Sequence, residues 1–243
     1  PETIDLFDKD AKKGFVKATV QTLVENKDEH AMVYGVIEPY LNMEYNIRRF
    51  FRYNIILRRY ENDDLFPADR YIRICEDLKY KKHFVGENKL PQHFQVGFFV
   101  KNEQLDKELH EQSYLFRENL QIDQTELIRL SRYSDTEKRA FINDQIALQV
   151  YIDDQACQIQ GVNIDRDGFV VDLYSTHSEN CRDLKIEIMF NMPQRKGYSE
   201  FLVSINEPTF SPTVQLSFPT DSMQVTMFPF LNNGDECLIQ HAM

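Results

Sequence analysis

The chain has 243 residues, 42% of them hydrophobic and 28% charged, with a formal net charge of −11. That composition reads as a globular protein with room for one large domain or two small ones. It excludes a general nucleic-acid binder, which needs clustered Lys and Arg against phosphate, and no apolar run approaches the ~20 residues that span a bilayer.

The charge is uneven. From residue 136 onward there are 7 Lys and Arg against 15 Asp and Glu, leaving 21 against 24 before it, so an anion site is expected in the first part or near the junction. Cys75, Cys157, Cys181 and Cys237 lie far apart without a CxxC pair, which predicts packed thiols in a reduced, cytoplasmic setting. The N-terminal PETIDLFDKD is too acidic for a signal peptide, and a start at Pro1 rather than Met reads as a fragment or a processed product.

In chain order, Val16, Val20, Leu23 and Val24 recur at helical spacing and predict an amphipathic helix within 8–28. The apolar run Val33 to Leu41 is ambiguous, with Pro39 limiting any regular element. In NIRRFFRYNIILRRY, helical spacing would gather Ile47, Phe50, Phe51 and Leu57 on one face and Arg48, Arg52 and Arg59 on another. This is the densest basic stretch of the chain. It suits either a solvated face paired with the following ENDD or the recognition of phosphate and guanine, for which Arg offers a planar fork of donors.

Tyr71 to Cys75 and Phe94 to Val100 read as strand pieces. Leu105, Leu109, Phe116 and Leu120 predict a helix, and Asp123 with Glu126 a capping box that opens a second helix through Leu127 and Leu130. These helices either pack on the rest or mediate self-association. Ser134 with Glu137 forms a further capping box.

Beyond residue 145 the period becomes two: Ile146, Leu148, Val150 and Ile152; Leu184, Ile186, Ile188 and Phe190; Phe201, Val203 and Ile205; Val214, Leu216 and Phe218; Met223, Val225 and Met227. With 157–164 and 169–174 these make an antiparallel barrel of about six to seven strands, which buries one face of each strand and leaves few edges. The expected class is α+β: a helical or mixed N-terminal domain at 1–135 and a β-barrel at 136–243, joined near SRYSDT at 131–136.

The second half, roughly 137–230, resembles the PilZ domain family of bacterial cyclic di-GMP receptors. That family carries an RxxxR segment before its first barrel strand and a D/N-x-S-x-x-G turn after the next. Here Glu137 to Asn143 takes the first place, with Arg139 as the first Arg and Asn143 where the second would be. Asn163 to Gly168 takes the second, with Asn163 and Gly168 matching and Asp165 in place of the Ser. A plain β-turn rich in Asp and Gly is the alternative reading of NIDRDG. Arg48 to Arg52 is itself an intact RxxxR.

The resemblance implies Arg139, Asn163, Asp165 and Gly168 as ligand residues, to which the basic run adds Arg48, Arg49 and Arg52, with cyclic di-GMP as the ligand and no metal or other cofactor. It implies a non-enzymatic, bacterial, cytoplasmic signalling adaptor acting on a protein partner. The alternative is an interaction or assembly module that needs no nucleotide, possible as a homo-oligomer. A metal-dependent nuclease built on Asp69, Asp77 and Lys79 is a distant third, since no HExxH, GxSxG, Walker A or GxGxxG segment is present.

Overall fold

A computed structural model describes residues 9–23, 30, 46–60, 65–85, 88–100, 114–197 and 208–221. The helices are α1 (Lys9–Leu23), α2 (Gln124–Ser131) and α3 (Asp135–Ala140), the last running into a π-helical turn at Phe141–Ile146. The strands are β1 (Ile47–Arg59), β2 (Tyr71–His83), β3 (His93–Val100), β4 (Tyr114–Leu120), β5 (Gln149–Ile152), β6 (Gln155–Ala156), β7 (Gln158–Ile164), β8 (Gly168–Tyr174), β9 (Asp183–Arg195), β10 (Thr209–Phe210) and β11 (Thr213–Ser217).

The α+β class holds, and sheet dominates. One sheet runs β10-β1-β2-β9-β5-β6, with β11 also on β1; the other runs β4-β3-β8-β7. Among the described residues the sheets stay open and do not close into a barrel. Strands from both sides of residue 135 pair in each sheet, β2 with β9 and β3 with β8, so the segments 1–135 and 136–243 share one core. SRYSDT is the joint between α2 and α3.

Alternation explains the long strands. β9 turns Leu184, Ile186, Ile188, Phe190 and Met192 inward, and β2 turns Ile74, Leu78 and Tyr80 the same way. Helical spacing misassigned NIRRFFRYNIILRRY: it is β1, with Phe51, Tyr53 and Ile55 buried on one face. A β-bulge between Arg49 and Arg52 inserts a residue and shifts the phase of the alternation, which is why a period near 3.6 fitted the apolar positions. Phe116 and Leu120, also expected in a helix, belong to β4.

The core lies between the sheets. Phe98 stacks on Phe169 at 4.6 Å and meets Phe190 edge-on at 5.1 Å, while Phe141 meets Phe169 at 5.8 Å. These rings join β3, β8, β9 and the π-helical turn. Cys75, Cys157 and Cys181 are unpaired thiols, and burial pushes Cys157 up to about 11. Expectations resting on Val24, 33–41, Leu105, Leu109, Phe201 to Ile205, Met223 to Met227 and Cys237 lie outside the described residues.

Both capping boxes can be checked. At α3, the Glu137 carboxylate accepts the Ser134 N–H at 2.8 Å while Ser134 Oγ accepts the Glu137 N–H at 3.4 Å. The Ser134 hydrogen bonds hold the Glu137 carboxyl below its usual range. Ser134→Ala is expected to lower stability by about 1 kcal/mol in urea denaturation.

At α2, Asp123 occupies the N-cap position but its side chain does not cap. It accepts from Arg70 and Arg195 and from the Tyr71 hydroxyl at 3.2 Å, while Glu126 accepts from Arg70 at 3.2 Å. Two guanidinium groups outcompete backbone N–H donors for one carboxylate, and the helix is thereby fastened to β2 and β9.

Candidate functional site

The sequence-predicted ligand residues fall in two places. Arg139, on α3, donates to the Ile159 carbonyl at 3.1 Å and to the Gln160 carbonyl, tying the helix to β7. Asp165 sits in the β7–β8 turn, where Oδ1 accepts the Asp167 N–H at 2.8 Å and the Gly168 N–H at 3.1 Å. This is an Asx-type turn, the alternative reading of NIDRDG. Asn163 is exposed on β7, and Gly168 opens β8 against the backbone of Phe98 and Phe99. At this hairpin the guanidinium and the carboxylate thus serve the fold.

Arg48, Arg49 and Arg52 belong to the other sheet. Antiparallel register sets Arg48 opposite Lys82, Arg49 opposite Lys81 and Arg52 opposite Lys79. On the other side of β2, Lys81 faces Lys185 and Lys79 faces Glu187. Arg49, Lys81 and Lys185 therefore form one row across three strands, and Arg52, Lys79 and Glu187 the next. Both rows lie on the face opposite Leu78, Tyr80 and Ile186. On the core-facing side, the Arg48 guanidinium sits 5.0 Å from the Tyr80 ring centroid.

The bulge gives this basic end its shape. Phe50 takes a positive φ of 55° and is 73% exposed. The Lys81 ammonium stands 5.8 Å from the Phe50 ring centroid. Phe210, in register with Arg49, is 54% exposed. Two exposed aromatic rings thus stand beside a row of cations.

Some of the cations are already paired. Arg49 reaches Asp183 at 2.5 Å, and His83 reaches the same carboxylate at 3.1 Å. Burial works to raise Asp183, but the hydrogen bond and charge of His83, with those of Arg49, outweigh it and hold the carboxyl below its usual range. Lys79 bonds Glu187 at 2.9 Å and Asp77 at 3.3 Å, the first contact doing most to raise its ammonium pKa. Lys185 pairs with Asp154. Arg52 and Lys81 are exposed, and no carboxylate among the described residues pairs with either.

An exposed ring between uncommitted cations can stack a planar base while the cations meet its phosphate. Reading β1 as a helix hid its pairing with Lys79, Lys81 and Lys82, of which only Lys79 is singled out by sequence, and for a metal site. The signal was present in Asp77-Leu78-Lys79-Tyr80-Lys81, where period two places the charged residues on one face.

Of the residues of the nuclease reading, Asp69 lies in the turn before β2 and Asp77 is salt-linked to Lys79 at 3.3 Å. Among the described residues no three His, Cys, Asp or Glu converge as a metal site, and no helix is long and apolar enough to cross a membrane. Comparison with protein-family models, curated proteins and solved structures finds no match to the chain.

Proposed function

We propose that the chain is a non-enzymatic signalling adaptor that binds a cyclic dinucleotide of the cyclic di-GMP type at the basic end of the seven-stranded sheet. In this reading it is a PilZ-like module of a bacterial, cytoplasmic signalling route. Its working ligand residues are Arg48, Arg49 and Arg52, joined by Lys81 and Phe50. Arg139, Asn163, Asp165 and Gly168 then shape the β7–β8 hairpin.

The observation that carries the proposal is the bulge, which projects the Phe50 ring out of the sheet beside Lys81 and between Arg49 and Arg52. A dianionic ligand with flat bases complements that surface in both charge and shape. Occupancy would favour one arrangement of the sheet end and so alter what a protein partner meets there.

The reading predicts that Arg52→Ala and Phe50→Ser each weaken cyclic di-GMP binding about tenfold or more, as expected for one charge-assisted contact or one stacked base. Asn163→Ala, at the hairpin, leaves the affinity unchanged. Isothermal titration of the four proteins at fixed moderate salt reads the result. Loss of binding in Asn163→Ala alone would move the site to the hairpin.

The second reading, an interaction or assembly module that needs no nucleotide, is favoured by the commitment of Arg139 and Asp165 to backbone groups. In that case Phe50 and Phe210 would be contact residues for another protein or a second copy.

A further inference from the structure

Tyr53 on β1, Glu76 on β2 and Glu118 on β4 are polar positions on the core-facing side with apolar neighbours. The Tyr53 hydroxyl donates to Glu76 Oε2 and lies 3.4 Å from Glu118 Oε2. Glu76 is only 3% exposed, and its Oε1 is buried without a hydrogen-bond partner. Glu118 accepts the Asn119 N–H at 2.8 Å.

Among the described residues no cation acts on either carboxylate. Tyr53 is flanked on its face by Phe51 and Ile55, and Glu76 by Ile74 and Leu78. Across the ladders, Glu76 is opposite Phe190 of β9 and Glu118 opposite Phe98 of β3. The groups acting electrostatically on Glu76 are Glu118 and Tyr53, and those on Glu118 are the Asn119 N–H and Tyr53. Arg117, the cation next to Glu118 in sequence, acts on Tyr114.

Two ionised carboxylates around one hydroxyl, with no cation beside them among the described residues, repel in a medium that screens poorly. A single tyrosine hydrogen also cannot satisfy both. A proton retained by the pair removes one charge and supplies a second donor.

We propose that Tyr53, Glu76 and Glu118 form a proton-operated latch between the two sheets, closed while the carboxyl pair keeps a proton and loosened when both ionise. Tyr53 and Glu76 belong to the seven-stranded sheet and Glu118 to the four-stranded one, so the repulsion acts across the core. The latch is independent of any ligand at the bulge.

The direction of the pH response follows. Burial first, with the charge of Glu118, raises Glu76 well above the usual carboxyl range. Burial pushes Glu118 up to about 7, against hydrogen bonds from Asn119 and Tyr53 that lower it. The folded chain therefore holds these protons more tightly than the unfolded one. Each carboxyl contributes fully below its ordinary value of 4.5; the contribution of Glu118 is lost as pH rises through about 7, and that of Glu76 as pH rises through its own raised value.

The test is the urea midpoint of the full chain followed with pH. The wild type should lose stability as pH rises from about 4.5 through about 7, and Glu118→Gln, which cannot ionise, should diminish that loss. Infrared difference spectra of the wild type should show a neutral carboxylic-acid band that weakens as Glu118 ionises near pH 7, a readout that does not depend on the variant folding. A fall that persists undiminished in Glu118→Gln would overturn the latch, as would a wild type with neither the fall nor the band.

Discussion

Gly168→Ala is expected to remove about 3 kcal/mol of stability or more, by adding an overpacking term to a backbone-strain term. A Cβ at this position would run into the Phe98 carbonyl oxygen and come within 2.9 Å of the Phe99 Cα. Both obstacles are backbone of the neighbouring strand β3, so no rotamer change relieves them. The residue also has a φ of 155°, which side chains with a Cβ rarely adopt. Urea denaturation of the wild type and the variant measures the effect. A loss below about 1 kcal/mol, smaller than either term alone is expected to give, would mean that β3 and β8 part easily at this end.

Phe98→Ala should cost about 3–5 kcal/mol, the range for emptying a fully buried aromatic site. Its ring is 0% exposed and contacts Phe169 of its own sheet and Phe190 of the other. Phe141 and Phe116 close the cluster around them. The surrounding rings are held by strands in two sheets and cannot collapse together into the space. The exposed Phe15, at 66%, is the internal comparison, and Phe15→Ala should stay within about 0.5 kcal/mol of the wild type. Equal losses in the two variants would show that the rings between the sheets are not the core.

Where local pattern decides an element, the sequence disclosed it. The run Leu184, Ile186, Ile188 and Phe190 is β9, Ser134 with Glu137 is a working cap, and NIDRDG is a turn. Local pattern failed where tertiary pairing decides. The bulge at Phe50 broke the alternation of β1 and left a helical coincidence in its place. The joint at 131–136 looked like a domain boundary because composition changes there, yet β2 finds β9 more than a hundred residues away. Asp123 looked like a cap because its competitors, Arg70 and Arg195, are remote in sequence.

The candidate site divides in the same way. Arg48, Arg49 and Arg52 were legible as a basic run. Their meeting with Lys79, Lys81 and Lys82 depends on antiparallel register, and the outward turn of Phe50 on one inserted residue. Neither leaves a mark in a linear motif. At the hairpin the motif residues were legible but their use was not, since Arg139 and Asp165 spend their polar groups on backbone partners.

Titration calorimetry of the intact chain with cyclic di-GMP, at two salt concentrations and with GMP and ATP as controls, tests the central claim most directly. The account predicts saturable binding in the micromolar range or tighter, weaker at higher salt because exposed cations meet phosphate, and selective over the mononucleotides. No heat of binding at either salt concentration, or equal affinity for all three nucleotides, would contradict it.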